Sequence, residues 1–175
     1  IYIPVGDGNI ISGIHKGFQD LLALGWIETL PELIGVQSEK SAAIANAFFA
    51  KTETITPVRA TTLADSISVD LPRDGLRALR AARETGGHYT TVSDEEILKA
   101  IPDLGKTGIF VEPAAAAAFA GLHKDLRDGL LNPERPALVL CTRSGLKDIR
   151  AAASAVHPAP IIEPSIQALM KVIHD

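Results

Sequence analysis

Short runs of strand-forming residues recur along this chain, and each is followed by a stretch with helical spacing. That alternation constrains the fold more than any other feature, because parallel strands need long crossovers and helices supply them. The first run, 1–5, reads Ile-Tyr-Ile-Pro-Val. Over 10–25, Ile10, Ile11, Ile14, Phe18, Leu21 and Leu22 then recur at helical intervals. A short apolar strand is expected at 33–37 and a helix at 41–49. The polar, proline-containing 51–62 reads as loop. A helix over 74–84 would carry Arg77, Arg80 and Arg83 on or near its solvent side, and Gly86-Gly87 would end it. Strand 88–92 precedes Ser93-Asp94-Glu95-Glu96, a capping box whose helix should reach about Ile101, with Pro102 just beyond. Residues 109–111 read as a short strand or turn. Glu112-Pro113 and five alanines open a helix that ends near Gly129, and small side chains would let it sit close to a sheet or a ligand. Residues 137–141 read as a buried strand, 146–155 as a helix and 165–173 as the last helix.

These units predict an α/β fold, a mostly parallel sheet with helices on both faces. No repeat or domain boundary divides 1–175, so it reads as one domain. Strand 1–5 is apolar on both sides and belongs inside a sheet. It therefore predicts neighbouring strands, and chain upstream of Ile1.

The net charge of −4 is spread without long like-charge blocks, which argues against a nucleic-acid partner. No apolar run is long enough to span a bilayer and no signal peptide is visible, so no membrane role and a cytoplasmic location are expected. A single cysteine, Cys141, allows no internal disulfide, and its apolar setting predicts a small buried residue rather than a nucleophile. His15, His88, His123, His157 and His174 show no metal-ligand spacing, and none is predicted to hold a metal. His15 and Lys16 are expected on the polar side of their helix.

Three places could carry chemistry. Val5-Gly6-Asp7-Gly8-Asn9-Ile10 is a strand, a glycine turn and a helix start. Backbone N–H groups and the helix dipole can hold a phosphate there; a bare βα turn fits the spacing as well. It matches neither Gly-x-Gly-x-x-Gly, since Ser12 stands at the last glycine position, nor the Gly-Lys-Ser/Thr of a P-loop. Thr142-Arg143-Ser144-Gly145 follows the strand at 137–141, where polar residues can meet a ligand or simply cap the next helix. Glu112 opens a helix, where the dipole favours a carboxylate; capping and a place beside a cofactor are both open.

Several stretches occur together, in order and spacing, over about 1–150. They are Pro4-Val5-Gly6-Asp7-Gly8-Asn9-Ile10, Lys16-Gly17-Phe18, Leu33-Ile34-Gly35-Val36-Gln37 and Ala64-Asp65-Ser66-Ile67. Gly86-Gly87, Val92-Ser93-Asp94-Glu95-Glu96-Ile97, Gly108-Ile109-Phe110-Val111-Glu112-Pro113 and Gly145-Leu146-Lys147-Asp148 complete the set. As an ordered set they resemble the threonine synthases, in the tryptophan synthase β-like group of pyridoxal 5'-phosphate (PLP) enzymes. The resemblance implies the C-terminal part of the large PLP-binding domain. It implies that Gly6, Asp7, Gly8 and Asn9 hold the cofactor phosphate, with Asn9 also near the substrate's phosphate. Thr142 would meet the pyridine nitrogen and Glu112 would lie at the edge of the cofactor pocket. The implied reaction takes O-phosphohomoserine and water to threonine and phosphate, in a whole protein that is a homodimer.

Two departures bear on this. Arg143 stands where the family usually has glycine. The Schiff-base lysine of a Ser-Phe-Lys-Asp-like motif, upstream of the phosphate turn in the family, has no match; Lys16-Gly17-Phe18-Gln19-Asp20 only mimics its letters. The isolated chain is therefore expected to lack its catalytic lysine, with the N-terminal half, and to be inactive. The same stretches would also suit a serine or threonine dehydratase, a cysteate synthase, or a non-catalytic phosphate- or PLP-binding module.

Overall fold

In a computed structural model, residues 1–156 and 158–173 are described; His157 and His174 lie outside the described residues. Strand β1 (Tyr2–Pro4) is buried throughout, and its glycine turn leads into helix α1 (Asn9–Ala23). Strand β2 (Ile34–Ser38), helix α2 (Ala43–Phe49), helix α3 (Gly75–Glu84) and strand β3 (Tyr89–Val92) follow. Helices α4 (Asp94–Gly105), α5 (Pro113–Arg127), α6 (Ile149–Ser154) and α7 (Ile166–Ile173) complete the chain. The three strands are parallel in the order β1-β2-β3, with Tyr2 opposite Ile34 and Gly35 opposite Tyr89. Two separate cores form, one on each face. Ile3, Val5, Leu33 and Tyr89 pack with residues of α1, α2 and α3, whereas Tyr2, Ile34, Val36 and Val92 pack with α4 and α5. The expected α/β architecture is the one observed.

The alanine run explains how close the second layer comes. The five alanines at 114–118 are at most 2% exposed. One turn on, a Cβ added at Gly121 would lie 2.5 Å from Val36 Cγ2. Small residues therefore let α5 lie directly on the sheet. The capping box forms as its sequence predicts: Glu96 N–H donates to Ser93 Oγ (3.1 Å), and Ser93 N–H donates to Glu96 Oε2 (2.9 Å). Replacing this cap (Ser93→Ala) should cost about 1 kcal/mol of stability, measured by urea unfolding.

Four expectations need correction. Helix α4 runs through Pro102 to Gly105, because Ile97, Ala100, Ile101 and Leu104 form one buried stripe and packing outweighs the single N–H that proline removes. His15 is 7% exposed rather than solvent-facing; it falls on the Ile11–Ile14–Phe18 stripe that meets α3, with Nε2 3.5 Å from the Glu84 carboxylate. Residues 137–141 form no buried strand. They make one parallel bridge, Val139 to Tyr2, with Tyr2 N–H donating to Leu138 O and Leu140 N–H to Tyr2 O. Leu138 is 55% exposed, and Cys141 is exposed rather than buried. The segment lies at the sheet edge, where Val139 and Leu140 pack in part against the two cores while Ala137, Leu138 and Cys141 are exposed. Finally, the expected 146–155 helix begins as a separate 3₁₀ turn, Gly145–Lys147, and continues as α6.

Candidate functional site

All three parallel strands point their carboxyl ends to one edge of the sheet, and the residues singled out from sequence meet there. A cavity of about 270 Å³ is lined by the Gly6-Asp7-Gly8-Asn9 turn after β1, by Glu112 at the start of α5, and by Thr142 and Arg143 beyond the edge bridge. Ser66 and Ile67 close it from a loop. The volume is close to the lower end for small-molecule sites, about 300 Å³.

The turn is shaped as a cradle. Gly8 has φ of 94°, a left-handed conformation that favours glycine, and it begins α1 without a side-chain cap. The first amides of a helix have no partner within it, so the N–H groups of Asn9, Ile10 and Ile11 are available at the cavity. Asp7 is held from behind: its carboxylate accepts from Arg73 N–H (3.1 Å), and its carbonyl accepts from Asp74 N–H (2.9 Å). The 3₁₀ turn Asp65–Ile67 presses on the other side; a Cβ on Gly6 would stand 3.0 Å from Ile67 Cα and 3.1 Å from Ser66 O.

Glu112 is 4% exposed, yet its carboxylate makes no capping bond to α5, and Oε1 has no hydrogen-bond partner. An orphaned buried carboxylate oxygen is costly unless something bound there supplies a donor. The capping explanation for Glu112 thus does not hold. Ser144, by contrast, does cap: its hydroxyl accepts from Leu146 N–H at 3.3 Å. Backbone bonds join these two pieces of the wall, Glu112 N–H to Arg143 O (3.2 Å) and Gly145 N–H to Phe110 O (3.1 Å). A neighbouring chamber shares Ser66, Glu112, Ala114 and Arg143 and adds Lys147 and Asp148. Among the described residues no lysine lines the main cavity.

Residues 1–142 match the family described as pyridoxal-phosphate dependent enzymes. The chain belongs to that family. Within it, the chain is 35% identical to the threonine synthase of Methanocaldococcus jannaschii over 177 residues, covering 100% of this chain and 44% of that protein. It is also 35% identical to the threonine synthase of Methanosarcina acetivorans, covering 99% and 43%. The chain thus spans less than half the length of these relatives. Among solved structures, threonine synthase from Escherichia coli superposes with a TM-score of 0.66 over 98% of this chain and 42% of that one, at 19% identity. Processed threonine deaminase isoform 2 from Solanum lycopersicum gives 0.65 over 89% and 43%, also at 19% identity. At such identities these two show the shared fold alone.

The cavity suits the cofactor of a pyridoxal-phosphate dependent enzyme. An uncapped helix start behind a glycine cradle suits a phosphate, and the orphaned Glu112 oxygen and the Thr142 hydroxyl suit a polar ring. Sequence reasoning gave no role to Ser66 or Ile67. Their stretch belonged to the family resemblance, but no local pattern places a loop against a turn so distant in the chain. Among the described residues no helix is long and apolar enough to cross a membrane, and no group of three His, Cys, Asp or Glu could hold a metal.

Proposed function

We propose that this chain is the cofactor-phosphate-binding, C-terminal part of the large domain of a threonine synthase. The whole protein, a homodimer, would convert O-phosphohomoserine and water to threonine and phosphate. In this reading the N–H groups of Gly6, Asp7, Gly8 and Asn9 hold the PLP phosphate, and Asn9 also faces the phosphate of the substrate. Thr142 donates its hydroxyl to the pyridine nitrogen or accepts from it, and Glu112 borders the ring. The bound cofactor supplies an electron sink for bond making beside the amino-acid carbon. The chain's own residues orient it. One observation carries the reading: a single cavity gathers the glycine turn, Glu112 and Thr142 from three separate stretches. The two threonine synthases 35% identical to this chain favour that reaction over a dehydratase.

Because no lysine lines the main cavity among the described residues, the chain alone should be inactive. The test compares PLP with pyridoxal, which lacks the phosphate. Binding at least tenfold tighter for PLP, about 1.4 kcal/mol, is expected. Borohydride treatment followed by mass spectrometry should find no pyridoxyl-lysine, Lys147 included. Equal affinities would remove the phosphate cradle; a specific lysine adduct, or threonine release from O-phosphohomoserine, would overturn the inactivity. For the whole protein, product analysis with O-phosphohomoserine against free threonine separates a synthase from a dehydratase.

A further inference from the structure

The loop that walls the cavity is poorly equipped to hold itself. Between Thr62 and Val69 its internal backbone bonds make a single 3₁₀ turn, Ile67 N–H to Ala64 O and Ser68 N–H to Asp65 O, with one bond across two residues from Asp65 N–H to Leu63 O, all three 3.0 Å. Three residues of 3₁₀ helix have no stability of their own. Yet Ser66 and Ile67 of this loop stand so close to Gly6 that a single added carbon would need their backbone to give by a few tenths of an ångström.

Two anchors at the carboxyl ends of β2 and β3 fix the loop. Ser41, fully buried, follows β2; its hydroxyl donates to Ile67 O (2.9 Å) and accepts from Val69 N–H (3.0 Å). A hydroxyl can do both at once, so one side chain clamps two points. At the other end, Thr62 Oγ1 accepts from Ala64 N–H (3.2 Å) and donates to Asp94 Oδ1 (2.5 Å). Asp94 is 7% exposed and follows β3; its Oδ2 accepts from Lys40 Nζ (2.7 Å). Burial pushes the Asp94 carboxyl up, but the bonds from Lys40 and Thr62 outweigh it and hold the group below its ordinary range. Asp94 is therefore a fixed anionic post, and Thr61 N–H also donates to Lys40 O (3.1 Å).

We propose that Ser41 and the Thr62–Asp94 pair are positioning residues for the phosphate turn, acting through the 62–69 loop that backs Gly6. The proposal rests on the cofactor reading above. The two anchors span strands β2 and β3, while the turn they serve follows β1. The carboxyl ends of three strands thus act together on one set of N–H groups. Loss of either anchor lets the loop recede from Gly6, and the amides of the turn lose their convergence on a phosphate. The pyridine ring, met by Glu112 and Thr142, is held elsewhere and should be little affected.

The test reads PLP and pyridoxal affinities side by side in the full chain, together with the melting temperature. Ser41→Ala should weaken PLP about five- to tenfold and leave pyridoxal within twofold. Thr85→Ala is the structural comparison: it removes another buried hydroxyl, which accepts from Leu33 N–H (3.1 Å) and donates to Ala81 O (2.8 Å) at the opposite edge of the sheet. It should lower the melting temperature but keep the wild-type ratio of the two affinities. If Ser41→Ala fails to fold, Thr62→Val is read in the same way, and Thr62→Ser should restore the wild-type ratio. A ratio unchanged in Ser41→Ala and Thr62→Val, against a selective wild type, overturns the positioning role alone. A wild type that binds both ligands alike overturns the cofactor reading, and the positioning role with it.

Discussion

Gly8→Ala should be among the most damaging single-carbon changes in this chain, costing about 2–4 kcal/mol of stability and at least tenfold in PLP affinity. Two separate penalties meet at this residue. Its φ of 94° is one that a residue with a side chain rarely adopts, and the new Cβ would lie 2.7 Å from Ala78 Cβ and 2.9 Å from Asp74 O. Neither neighbour is the end of a flexible side chain. Ala78 is fully buried in α3, and the Asp74 carbonyl accepts the first bond of that helix from Ala78 N–H (3.0 Å). Relief must therefore come from the turn itself, moving its amides away from the cavity. Gly25→Ala separates the two penalties. Gly25 also has positive φ, 71°, but nothing lies within 4 Å of its Cβ position, so only the backbone strain of about 1–2 kcal/mol applies. Urea unfolding of both variants, with PLP and pyridoxal titrations, checks this. If Gly8→Ala is no less stable than Gly25→Ala and still prefers PLP, the close packing behind the turn is not what shapes the cradle.

The glycine turn illustrates what could be read from sequence. Strand, turn and helix start are local, so Gly6 and Gly8 marked the site before any packing was known, and strand-helix alternation was enough to place it at the carboxyl edge of a parallel sheet. Glu112 and Thr142 were local candidates with two meanings each. For Glu112 the fold removes the capping meaning, by burying its carboxylate without a partner. What sequence missed depends on neighbours far along the chain. His15 looked polar because a histidine in a helix can face either way, and the position of α3 settles the matter. The apolar run at 137–141 predicted a covered strand, but coverage belongs to what packs on it. Ser41 gave no signal at all; a serine after a strand becomes a clamp only once 67 and 69 arrive beside it.

The opposite edge of the sheet carries the second large effect, with the reverse consequence for binding. Asp125 near the end of α5 is fully buried. Its Oδ2 accepts from the Tyr2 hydroxyl (2.8 Å) and lies 2.8 Å from His88 Nε2. Burial, and then the Asp125 carboxylate, push the Tyr2 phenol well above its ordinary range, so that it remains a donor. Asp125→Ala would leave the Tyr2 hydroxyl and the His88 nitrogen without their acceptor. The expected cost is about 3–5 kcal/mol, because two contacts to a buried carboxylate are lost at about 1.5–3 kcal/mol each. Asp125→Asn keeps an acceptor oxygen for Tyr2 and should cost less than half of that. Tyr2→Phe combined with Asp125→Ala should be less harmful than the sum of the two single changes, because both remove the same bond. Urea unfolding of the four variants measures each value; strict additivity would mean that the Tyr2–Asp125 bond contributes nothing. Helix α5 begins beside the cavity with Glu112 and ends beside Asp125, about 20 Å away at 1.5 Å per residue. Among variants that fold, the ratio of PLP to pyridoxal affinity should therefore stay at the wild-type value, since these bonds lie at the amino edge of the sheet and the proposed phosphate cradle lies at the carboxyl edge.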